Sequence, residues 1–591
     1  MKKIMWGLIA ICLILCSCGS DKRKEESNRG SKEIIVGLQG LSFNDFVEIS
    51  YRELISRSPE LVTEMGLDDT WGLPGNMLNN MSEEYLEETE NLQRGILSML
   101  DGYSGTQLIA DQLESRAVME WYLKDVIAGG EYRLNSFQVN HFIIGEPGAT
   151  ELFFSDIQPV RNISEAENYI ERLEQVGTKF TQLANGLLLR EEAGVILPET
   201  SISWTLQNLL KTSVSEPEKT VYYQSLKIKL EKLEIDDEST KKLLELAISA
   251  CESSVIPGYR ILEERLKAQR KIAQGNNGSW SLPKGEDYYK YSLSHHTTAD
   301  YSPEQIHQMG KNELDRIHAE MKMLFTSLGI DSQQSIEKMY RTLDGRAEII
   351  SADKMTETYA SIITEAEEYL PELFNTVPEA EVIVKAADSG GYYLPAALDG
   401  SRPGMFFATK SSGPFYRMPT LTFHETIPGH HLQLGLANEL PVSMFQKGSS
   451  FLGYIEGWAL YAEELMAESG YYDNNPEGRL GMLQAEAHRA ARMVMDTGLH
   501  YYKWDLNKAV DFFIDNTGYS RGYGQWEVMR YLIWPGQATA YMTGKLKILE
   551  LREIYRSTRG DDFNIRDFHT LILEEGASPL NLLDKKVRAA I

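Results

Sequence analysis

A histidine and a glutamate stand side by side in "TFHETIPGHHLQLG", residues 422–435. A catalytic zinc site needs three nitrogen or oxygen ligands, an open position, and a base that takes a proton from water. His424 and Glu425 are of the right types to be a ligand and that base. The usual second ligand would follow His424 by four residues on the same helical face, but Pro428 stands there. The pattern indicates either a metal site with altered spacing or a chance cluster.

Two later histidines, His430 and His431, are the alternatives for the second ligand. On an ideal helix His431 returns to within about 20° of His424, but it lies two turns, or about 10 Å, further along. His430 falls on the wrong face of an ideal helix, and it approaches the first ligand only if the segment loops out. Because proline cannot donate the helical hydrogen bond and glycine tolerates unusual dihedral angles, Pro428 and Gly429 predict a break between two helices.

Carboxylates follow in "GYIEGWALYAEELM", residues 453–466. Glu456 stands far enough along the chain for a second helix to run beside the first and present a ligand. Glu463 lies on the same helical face as Glu456, and Glu464 is next to it. These two acids are predicted either to support the metal ligands or to form a solvated helix edge. The chain has only 11 histidines, and three of them fall within the eight residues 424–431, beside Glu425 and before Glu456, which favours a metal site.

Several longer motifs resemble one known family. "HETIPGHHLQ", "EGWALYAEEL", "RMVMDTGLH" and "MRYLIWPGQATAYMTGKL" stand in the order expected for the domain of unknown function 885 family, and "DGSRPGMFF" and "SPEQIHQMGKNEL" also fit. The chain resembles these bacterial, often lipidated or secreted proteins, which have features of gluzincin zinc peptidases, over nearly its whole mature length. The resemblance implies one zinc ion held by His424, His430 and Glu456, with Glu425 as general base.

A slanting polar stripe is expected on the helix of "AHRAARMVMDTGLHYYKW", where His488, Arg492, Asp496 and His500 stand four residues apart. The apolar residues between them suggest burial, and buried charges need partners. Asp496 is predicted to orient a zinc-bound histidine, and His500 to hydrogen-bond the developing oxyanion. For Arg492, an ion pair with Asp496 within the helix is equally expected.

The stretch "MRYLIWPGQATAYMTG" adds candidates for substrate contacts. Tyr541 is predicted to donate a hydrogen bond to an anionic tetrahedral intermediate, and its alternative role is aromatic core packing. Arg530 is predicted to hold a substrate carboxylate through two hydrogen bonds. Gln537 and His431 are further candidates for substrate binding or for support of the ligands.

Helical periodicity dominates the rest of the chain. Apolar residues recur at three- and four-residue spacing in "SEEYLEETENLQRGILSML" and "TVYYQSLKIKLEKLEI", and Ser302 and Pro303 have the types of a helix cap and a first helical residue. "GMFFATK", residues 404–410, is the best strand signal, and it is predicted to be an edge strand that pairs with an extended peptide. The predicted fold is mainly α: a large multi-helix, gluzincin-like body with a small β-sheet near the active site.

The body is predicted to be a single helical domain over residues 35–591. An alternative boundary in the loop at 275–289 would separate an N-terminal helical part, 35–280, from a catalytic part, 281–591.

The N-terminus, "MKKIMWGLIAICLILCSCGS", has a lysine pair, a short apolar run and small residues around cysteine. It predicts a signal peptide over residues 1–17, and its ending resembles a bacterial lipobox, which implies lipidation of Cys18. A plain secretory signal or an uncleaved anchor is the alternative. Residues 18–34 are predicted to be a flexible tether, and Cys251 alone remains in the mature body, so no internal disulfide is expected.

Composition limits the partners. With 42% hydrophobic and 25% charged residues the chain is typical of a globular protein, and a formal charge of -27 argues against nucleic acid or anionic lipid as the main partner. The sequence thus predicts a lipid-anchored, extracytoplasmic zinc hydrolase, most simply a peptidase. The rival hypotheses are a metal-dependent amidase on a non-peptide or cell-wall substrate, and a non-catalytic lipoprotein that only binds a ligand.

Overall fold

The computed structural model of the protein describes residues 29–103, 108–143, 145–388 and 390–591. The fold is 69% helix and 3% strand, which confirms the predicted mainly α class with small sheets. Within these ranges, no helix is both long enough and apolar enough to cross a membrane. The predicted signal peptide, 1–17, and Cys18 lie outside the described residues.

The chain divides into two compact units that are not simple halves of the sequence. The first unit contains the described residues up to Leu113, Gln138–Ile196 and Ser201–Ala273. The second contains Glu114–Phe137, Leu197–Thr200 and Gln274–Ile591. Neither the predicted single domain nor the predicted boundary near residue 280 is tested by this division, and both stay predictions.

Helices make up the first unit, several of them begun by a serine, threonine, asparagine or aspartate that caps the first free amide groups. α6 and α10 each begin in one unit and end in the other. The helices are α1 Ser31–Gly37, α2 Phe43–Ile55, α3 Pro59–Glu64, α4 Asp68–Trp71, α5 Glu83–Leu100, α6 Ala110–Gly129, α7 Glu146–Leu152, α8 Ile163–Leu173, α9 Val176–Glu192, α10 Glu199–Ser213, α11 Val221–Leu230, α12 Asp237–Ala250 and α13 Ile256–Arg270.

The end of the predicted tether, residues 18–34, is ordered. α1 begins at Ser31, whose backbone N–H donates to Glu88 Oε1 at 2.5 Å, and Arg29 pairs with Glu53. Ile34 is buried. The prediction was wrong for these last residues because an apolar run begins inside the charged segment and packs against α5.

The second unit continues with helices that surround the candidate site. They are α14 Gly285–Thr297, α15 Pro303–Ser327, α16 Ile336–Asp344, α17 Met355–Glu367, α18 Leu370–Leu373, α19 Met418–Glu425, α20 His430–Glu439, α21 Met444–Gly448, α22 Leu452–Glu468, α23 Pro476–His500, α24 Leu506–Thr517, α25 Arg521–Ile533, α26 Ala540–Arg559, α27 Ile565–Leu573 and α28 Leu580–Ala589. Ser302 caps α15 as predicted, and Gln305 completes a reciprocal capping box.

Two small sheets precede the motif. β1 Ile349–Ile350 pairs with β5 Gly413–Pro414, while β2 Val382–Ala387, β3 Tyr392–Leu394 and β4 Gly404–Thr409 form a three-stranded sheet in the order β2-β4-β3. β4 is parallel to β2 and antiparallel to β3. The predicted strand exists, but the prediction that it is an edge strand was wrong. Its ladder is used on both sides, and a central strand of this kind is apolar because both of its faces are buried.

Long buried helices form the core of the second unit. α23 packs along α15, and α22 packs along α26. Nearly every residue of α23 from Leu480 to His500 is buried, so its polar side chains have to find partners inside the protein. Because they are buried, the polar side chains of the stripe expected from the sequence have a fixed geometry.

Candidate metal centre

The helix break predicted at Pro428 and Gly429 is present. α19 ends at Glu425 and α20 begins at His430, with a cis Ile427–Pro428 bond between them. A side chain at Gly429 would overlap the carbonyl oxygen of His424, so only glycine fits this close approach. The Trp458 indole donates to the Pro428 carbonyl at 2.9 Å, which ties the connection to α22.

The break brings the two histidine rings together. The rings of His424 and His430 have centroids 4.8 Å apart at an interplanar angle of 80°. Glu456, from α22, places Oε2 3.4 Å from Nε2 of His424 and 3.4 Å from Nε2 of His430. The ligand atoms of the three residues all lie within 4.8 Å of one another, and both histidines are buried.

These separations fit a tetrahedral zinc ion. Two ligands with bonds of about 2.1 Å at a tetrahedral angle stand about 3.4 Å apart. Glu456 Oε2 and His430 Nδ1 are buried without a hydrogen-bond partner among the described residues. Because burial of unpaired polar atoms is costly, a carboxylate oxygen held between two imidazole nitrogens is the arrangement expected where a cation binds. His424, His430 and Glu456 would hold that cation.

Close packing of two helices sets the position of Glu456. Gly457 on α22 and Gly544 on α26 approach so closely that a side chain on either would overlap the backbone of the other helix. A Cβ on Gly544 would overlap the Gly457 Cα and the Gly453 carbonyl oxygen. Glycine at these positions therefore holds Glu456 on α22 and Tyr541 on α26 near each other.

Glu463 orients His424. His424 Nδ1 donates to Glu463 Oε1 at 2.9 Å, which turns Nε2 towards Glu456. Thr420 donates to the other oxygen of Glu463, and Arg489 NH2 lies 3.4 Å from Oε1. Of the two roles that the sequence left open for this acid, support of a ligand is the one its geometry allows, since its side chain is fully buried.

The electrostatics of the cluster favour positive charge. Burial alone would lower the pKa of His424, but the carboxylates of Glu456 and Glu463 outweigh it and raise the pKa to about 9. Burial alone would raise the pKa of Glu456, yet His424 and His430 hold it well below its ordinary value. Burial likewise opposes the charge on Glu463, but Arg489, His424 and Thr420 lower its pKa. The carboxylates stay charged where the imidazole nitrogens converge.

Glu425 is a buried carboxylate next to the ligands. Burial raises its pKa, while the charges of His424 and His430 lower it and that of Glu456 raises it further. Among the described residues no hydrogen bond or ion pair engages its side-chain oxygens. A carboxylate with a raised pKa and free oxygens is suited to accept a proton and pass it on.

Tyr541, Arg530 and Gln537 form one group at the edge of the cluster. The Tyr541 ring stacks on His424 with centroids 6.2 Å apart and an interplanar angle of 15°. Arg530 NH2 donates to the Tyr541 hydroxyl at 3.1 Å, and Gln537 Nε2 approaches it at 3.5 Å. A hydroxyl has one proton and two acceptor positions, so two N–H donors leave its proton available for another acceptor.

His431 does not belong to the cluster of His424, His430 and Glu456. Its Nε2 donates to the Ala380 carbonyl at 2.9 Å, and its Nδ1 accepts from the Tyr393 hydroxyl at 2.8 Å. Burial lowers its pKa to about 4, so the ring is neutral and both nitrogens are used. His431 and Ile427 instead line a cavity of about 840 Å³ that none of the three ligands lines. His431 therefore supports neither histidine of the cluster through a hydrogen bond, and its predicted role in substrate binding stays a prediction.

Asp496 and His500 also have partners other than the predicted ones. Asp496 accepts from the Tyr289 hydroxyl at 2.7 Å and from the Gly536 N–H at 3.0 Å, so it orients no ligand. His500 accepts from the Ser279 N–H at 2.8 Å and donates to the Tyr531 carbonyl at 3.0 Å, which leaves it no proton for an oxyanion. The spacing along α23 placed both on one helix but could not say which elements they would meet.

Three residues that support the site were not predicted from the sequence. Arg489 pairs with Glu463, Glu527 pairs with Arg492 in place of the expected Asp496, and Gly544 allows the close helix crossing. Only the glycines carried a signal, since Gly453 and Gly457 stand one turn apart beside Glu456. The pairs between arginine and glutamate join different helices, so no local sequence pattern predicts them.

The fold and the site define a mainly helical protein with a buried His-His-Glu cluster. The chain belongs to the family of bacterial proteins of unknown function known as DUF885, whose family model matches residues 59–587. The predicted family membership is thereby confirmed.

Two solved structures are similar to the whole chain. One, described as a candidate lipoprotein from Colwellia psychrerythraea, has 26% identity and a TM-score of 0.88, with 95% of this chain and 99% of that chain covered. The other, described as a candidate lipoprotein of unknown function from Shewanella oneidensis, has 16% identity and a TM-score of 0.69, with 92% and 99% covered, and shows the fold alone. No curated protein matches the chain.

Proposed function

We propose that this protein is a zinc-dependent peptidase, held outside the cytoplasm by a lipid on Cys18 that anchors it to a bacterial membrane. The observation that carries the proposal is the convergence of His424, His430 and Glu456 at separations that fit a zinc ion. The carboxylate of Glu425 lies beside them and has no hydrogen-bond partner in the part of the chain that the structure describes. The lipobox-like N-terminus and the lipoprotein descriptions of the similar structures support the location.

Each side chain has one task. A zinc ion, when bound, polarises a carbonyl and makes water acidic enough to be deprotonated near neutral pH. Glu425 accepts the proton of the attacking water on a carboxylate oxygen and donates it to the nitrogen of the leaving amine. Tyr541 donates its hydroxyl proton to the developing oxyanion, because Arg530 and Gln537 occupy its acceptor positions. Glu463 holds the His424 ring in the tautomer whose Nε2 can bind a cation.

Replacement of Glu425 tests the proposal. Metal content of the purified protein is measured first, and a peptide library is then digested with the wild type and with Glu425→Gln. We expect about one zinc per chain in both proteins, and kcat at least about 1000-fold lower in the variant because the general base is lost.

Glu468→Gln is the matched control. Glu468 ends the same helix that carries Glu456, and it forms a surface ion pair with Arg552. We expect this variant to keep wild-type activity, because exposed ion pairs contribute little. Absence of bound metal from the wild type, or activity of Glu425→Gln close to that of the wild type, would contradict the proposal.

A further inference from the structure

The cavity of about 840 Å³ lies beside the connection between α19 and α20. Ile427 and His431, which line it, stand three residues before and one residue after the ligand His430. Because successive Cα atoms are about 3.8 Å apart, this part of the lining adjoins the metal centre. The volume is within the range of pockets that bind ligands, about 300–1,000 Å³.

Helix α17 connects the candidate general base to the cavity. Tyr359 on this helix is buried, and burial together with the nearby charge of Glu425 raises the pKa of its hydroxyl. Ile363, one helical turn further along, lines the cavity. Four helical residues advance by about 6 Å, and each residue of an extended peptide advances by about 3.3–3.6 Å. A single peptide can therefore extend from the metal centre to the cavity over one or two residues.

Helix α20, whose first residue is a metal ligand, also fixes one rim of the cavity. His431 Nε2 donates to the Ala380 carbonyl at 2.9 Å. At the other end of α20, Glu439 Oε1 accepts from the N–H groups of Glu379 and Ala380 at 2.7 and 3.1 Å. Residues 379–381, which all line the cavity, are therefore held against the helix that begins at the metal centre.

Part of the cavity lining is apolar. It includes four buried side chains, those of Ile363, Leu370, Phe374 and Ile427. The Phe374 ring stacks on His569 with centroids 4.8 Å apart, which fixes this part of the lining. Because removal of apolar surface from water is favourable, such a lining stabilises a bound hydrocarbon chain.

The charged residues that line the cavity are all acidic. They are the exposed glutamates Glu367, Glu379 and Glu381, and neither lysine nor arginine is among the described residues of the lining. In the part of the chain that the structure describes, no hydrogen bond or ion pair engages the side-chain oxygens of these three glutamates. A positive group that enters the cavity therefore meets carboxylates with which no described cation is already paired.

We propose that the cavity binds the side chain of a lysine or arginine within two residues of the scissile bond of a peptide substrate. The inference rests on the proposed peptidase function. Lysine and arginine bury their hydrocarbon stems along apolar surface and keep the charged end in water, which matches an apolar lining with an exposed acidic rim. An uncharged apolar side chain would use the lining alone, and an acidic side chain would be repelled by the rim.

The cleavage preference of the wild type tests the inference without any mutation. A random hexapeptide library is digested and the products are mapped by mass spectrometry, and we expect lysine and arginine to be enriched within two residues of the cleaved bonds. Three peptides that differ only at the enriched position, with lysine, norleucine or glutamate, are then compared. We expect kcat/KM to be about 5- to 10-fold higher for lysine than for norleucine, since exposed ion pairs are individually weak, and to be lowest for glutamate. No enrichment, or equal rates for lysine and norleucine, would overturn the inference.

Salt distinguishes the charged rim from the apolar lining. The screening length falls from about 8 Å at 0.15 M salt to about 3 Å at 1 M. We therefore expect the preference for lysine over norleucine to shrink to about 2-fold or less in 1 M sodium chloride. A preference that 1 M salt leaves unchanged would contradict its assignment to the exposed carboxylates.

Variants of the rim show whether these glutamates are responsible for the preference. We expect the double variant Glu379→Gln with Glu381→Gln to lose most of the preference for lysine over norleucine. The matched control is Glu368→Gln with Glu372→Gln, which removes the same charge from two exposed glutamates that do not line the cavity. The control should keep the preference of the wild type, and an equal loss in the two double variants would show that only the net charge matters.

A binding measurement separates failure of this inference from failure of the proposed function. Zinc-loaded Glu425→Gln is titrated with alanine hexapeptides that carry lysine or norleucine at the third position, and heats of binding are recorded. We expect about 5- to 10-fold tighter binding of the lysine peptide, abolished when Glu379→Gln and Glu381→Gln are added. Absence of cleavage by the wild type would count against the peptidase alone, while equal affinity for the two peptides would count against the role of the cavity.

Discussion

The second unit buries a cluster around His424 and another around His500, and each of the two contains a histidine and a carboxylate. In the second cluster every polar atom has a partner: both nitrogens of His500 meet backbone groups, and Asp496 accepts from Tyr289 and Gly536. In the first cluster, Glu456 Oε2 lies between two imidazole nitrogens and forms no hydrogen bond with any described residue.

Both clusters combine histidine with a carboxylate and are largely buried, so neither feature distinguishes a candidate metal site from a structural one. What differs is the use of the hydrogen-bonding atoms. A neutral histidine with one donor and one acceptor, both occupied, is a structural bridge, as His500 is. A histidine whose one nitrogen is bonded to a carboxylate and whose other nitrogen faces a second carboxylate is prepared to bind a cation.

The strongest test of this difference replaces one histidine in each cluster and compares the effects on zinc affinity and on the free energy of unfolding. We expect His430→Ala to lower the affinity for zinc more than about 100-fold, since removal of a ligand should exceed the 10- to 100-fold cost of removing a supporting residue. His500→Asn should keep its zinc but lower the free energy of unfolding by about 1–3 kcal/mol, because a backbone partner is left buried and unpaired. Metal analysis and chemical denaturation measure the two quantities.

His431→Ala is the neighbouring control for the ligand. It removes a ring that bonds to Ala380 and Tyr393 and that lies away from the other ligand atoms, so we expect zinc content near that of the wild type. Loss of zinc from the His431 or His500 variant, with retention in His430→Ala, would reverse the comparison.

A smaller effect is expected when the carboxylates are exchanged for amides. Glu463→Gln should weaken zinc binding about 10- to 100-fold, because His424 Nδ1 loses the charged acceptor that fixes its tautomer and raises its basicity. Asp496→Asn should leave the zinc affinity unchanged, since Asp496 touches no ligand. Competition with a fluorescent chelator measures both affinities, and a similar loss in the two variants would show that the clusters are not independent.

The smallest effect concerns pH. Burial raises the pKa of Asp496 to about 7, against the smaller effects of the Tyr289 and Gly536 hydrogen bonds. Because the folded pKa lies above the unfolded one, the folded state binds the proton more tightly. The contribution of protonated Asp496 to the free energy of unfolding is therefore complete below the unfolded pKa, and it is lost as the pH rises through the folded pKa of about 7.

Asp496→Asn should remove this dependence. Between pH 5 and pH 8, which spans about two pKa units below the folded value, we expect the free energy of unfolding of the wild type to fall by about 2.7 kcal/mol relative to the variant, at about 1.4 kcal/mol per unit. Denaturant titrations in the presence of a chelator make the comparison without a contribution from metal. Parallel pH profiles for the two proteins would show that Asp496 does not titrate in this range.

Much of the fold was accessible from local patterns. The capped helix after Ser302 and the periodic helix that ends at Leu100 are read from spacing alone, since caps and apolar faces act within one element. The break at Pro428 and Gly429 was accessible for the same reason, because it depends on the dihedral preferences of two residues. The position of β4 in the middle of its sheet was not, because it depends on β2 and β3.

The sequence by itself determined the helical class, the family, and the His, Glu and Pro-Gly residues that make a metal site conceivable. The tertiary structure decided which polar atoms meet. In the folded protein His424 bonds to Glu463 rather than to Asp496, and Arg530 bonds to Tyr541. His431 and His500 donate to backbone carbonyl groups outside the cluster. The physical reason is that hydrogen bonds and ion pairs between different helices depend on how those helices cross, and glycines such as Gly457 and Gly544 set that crossing only when the helices meet.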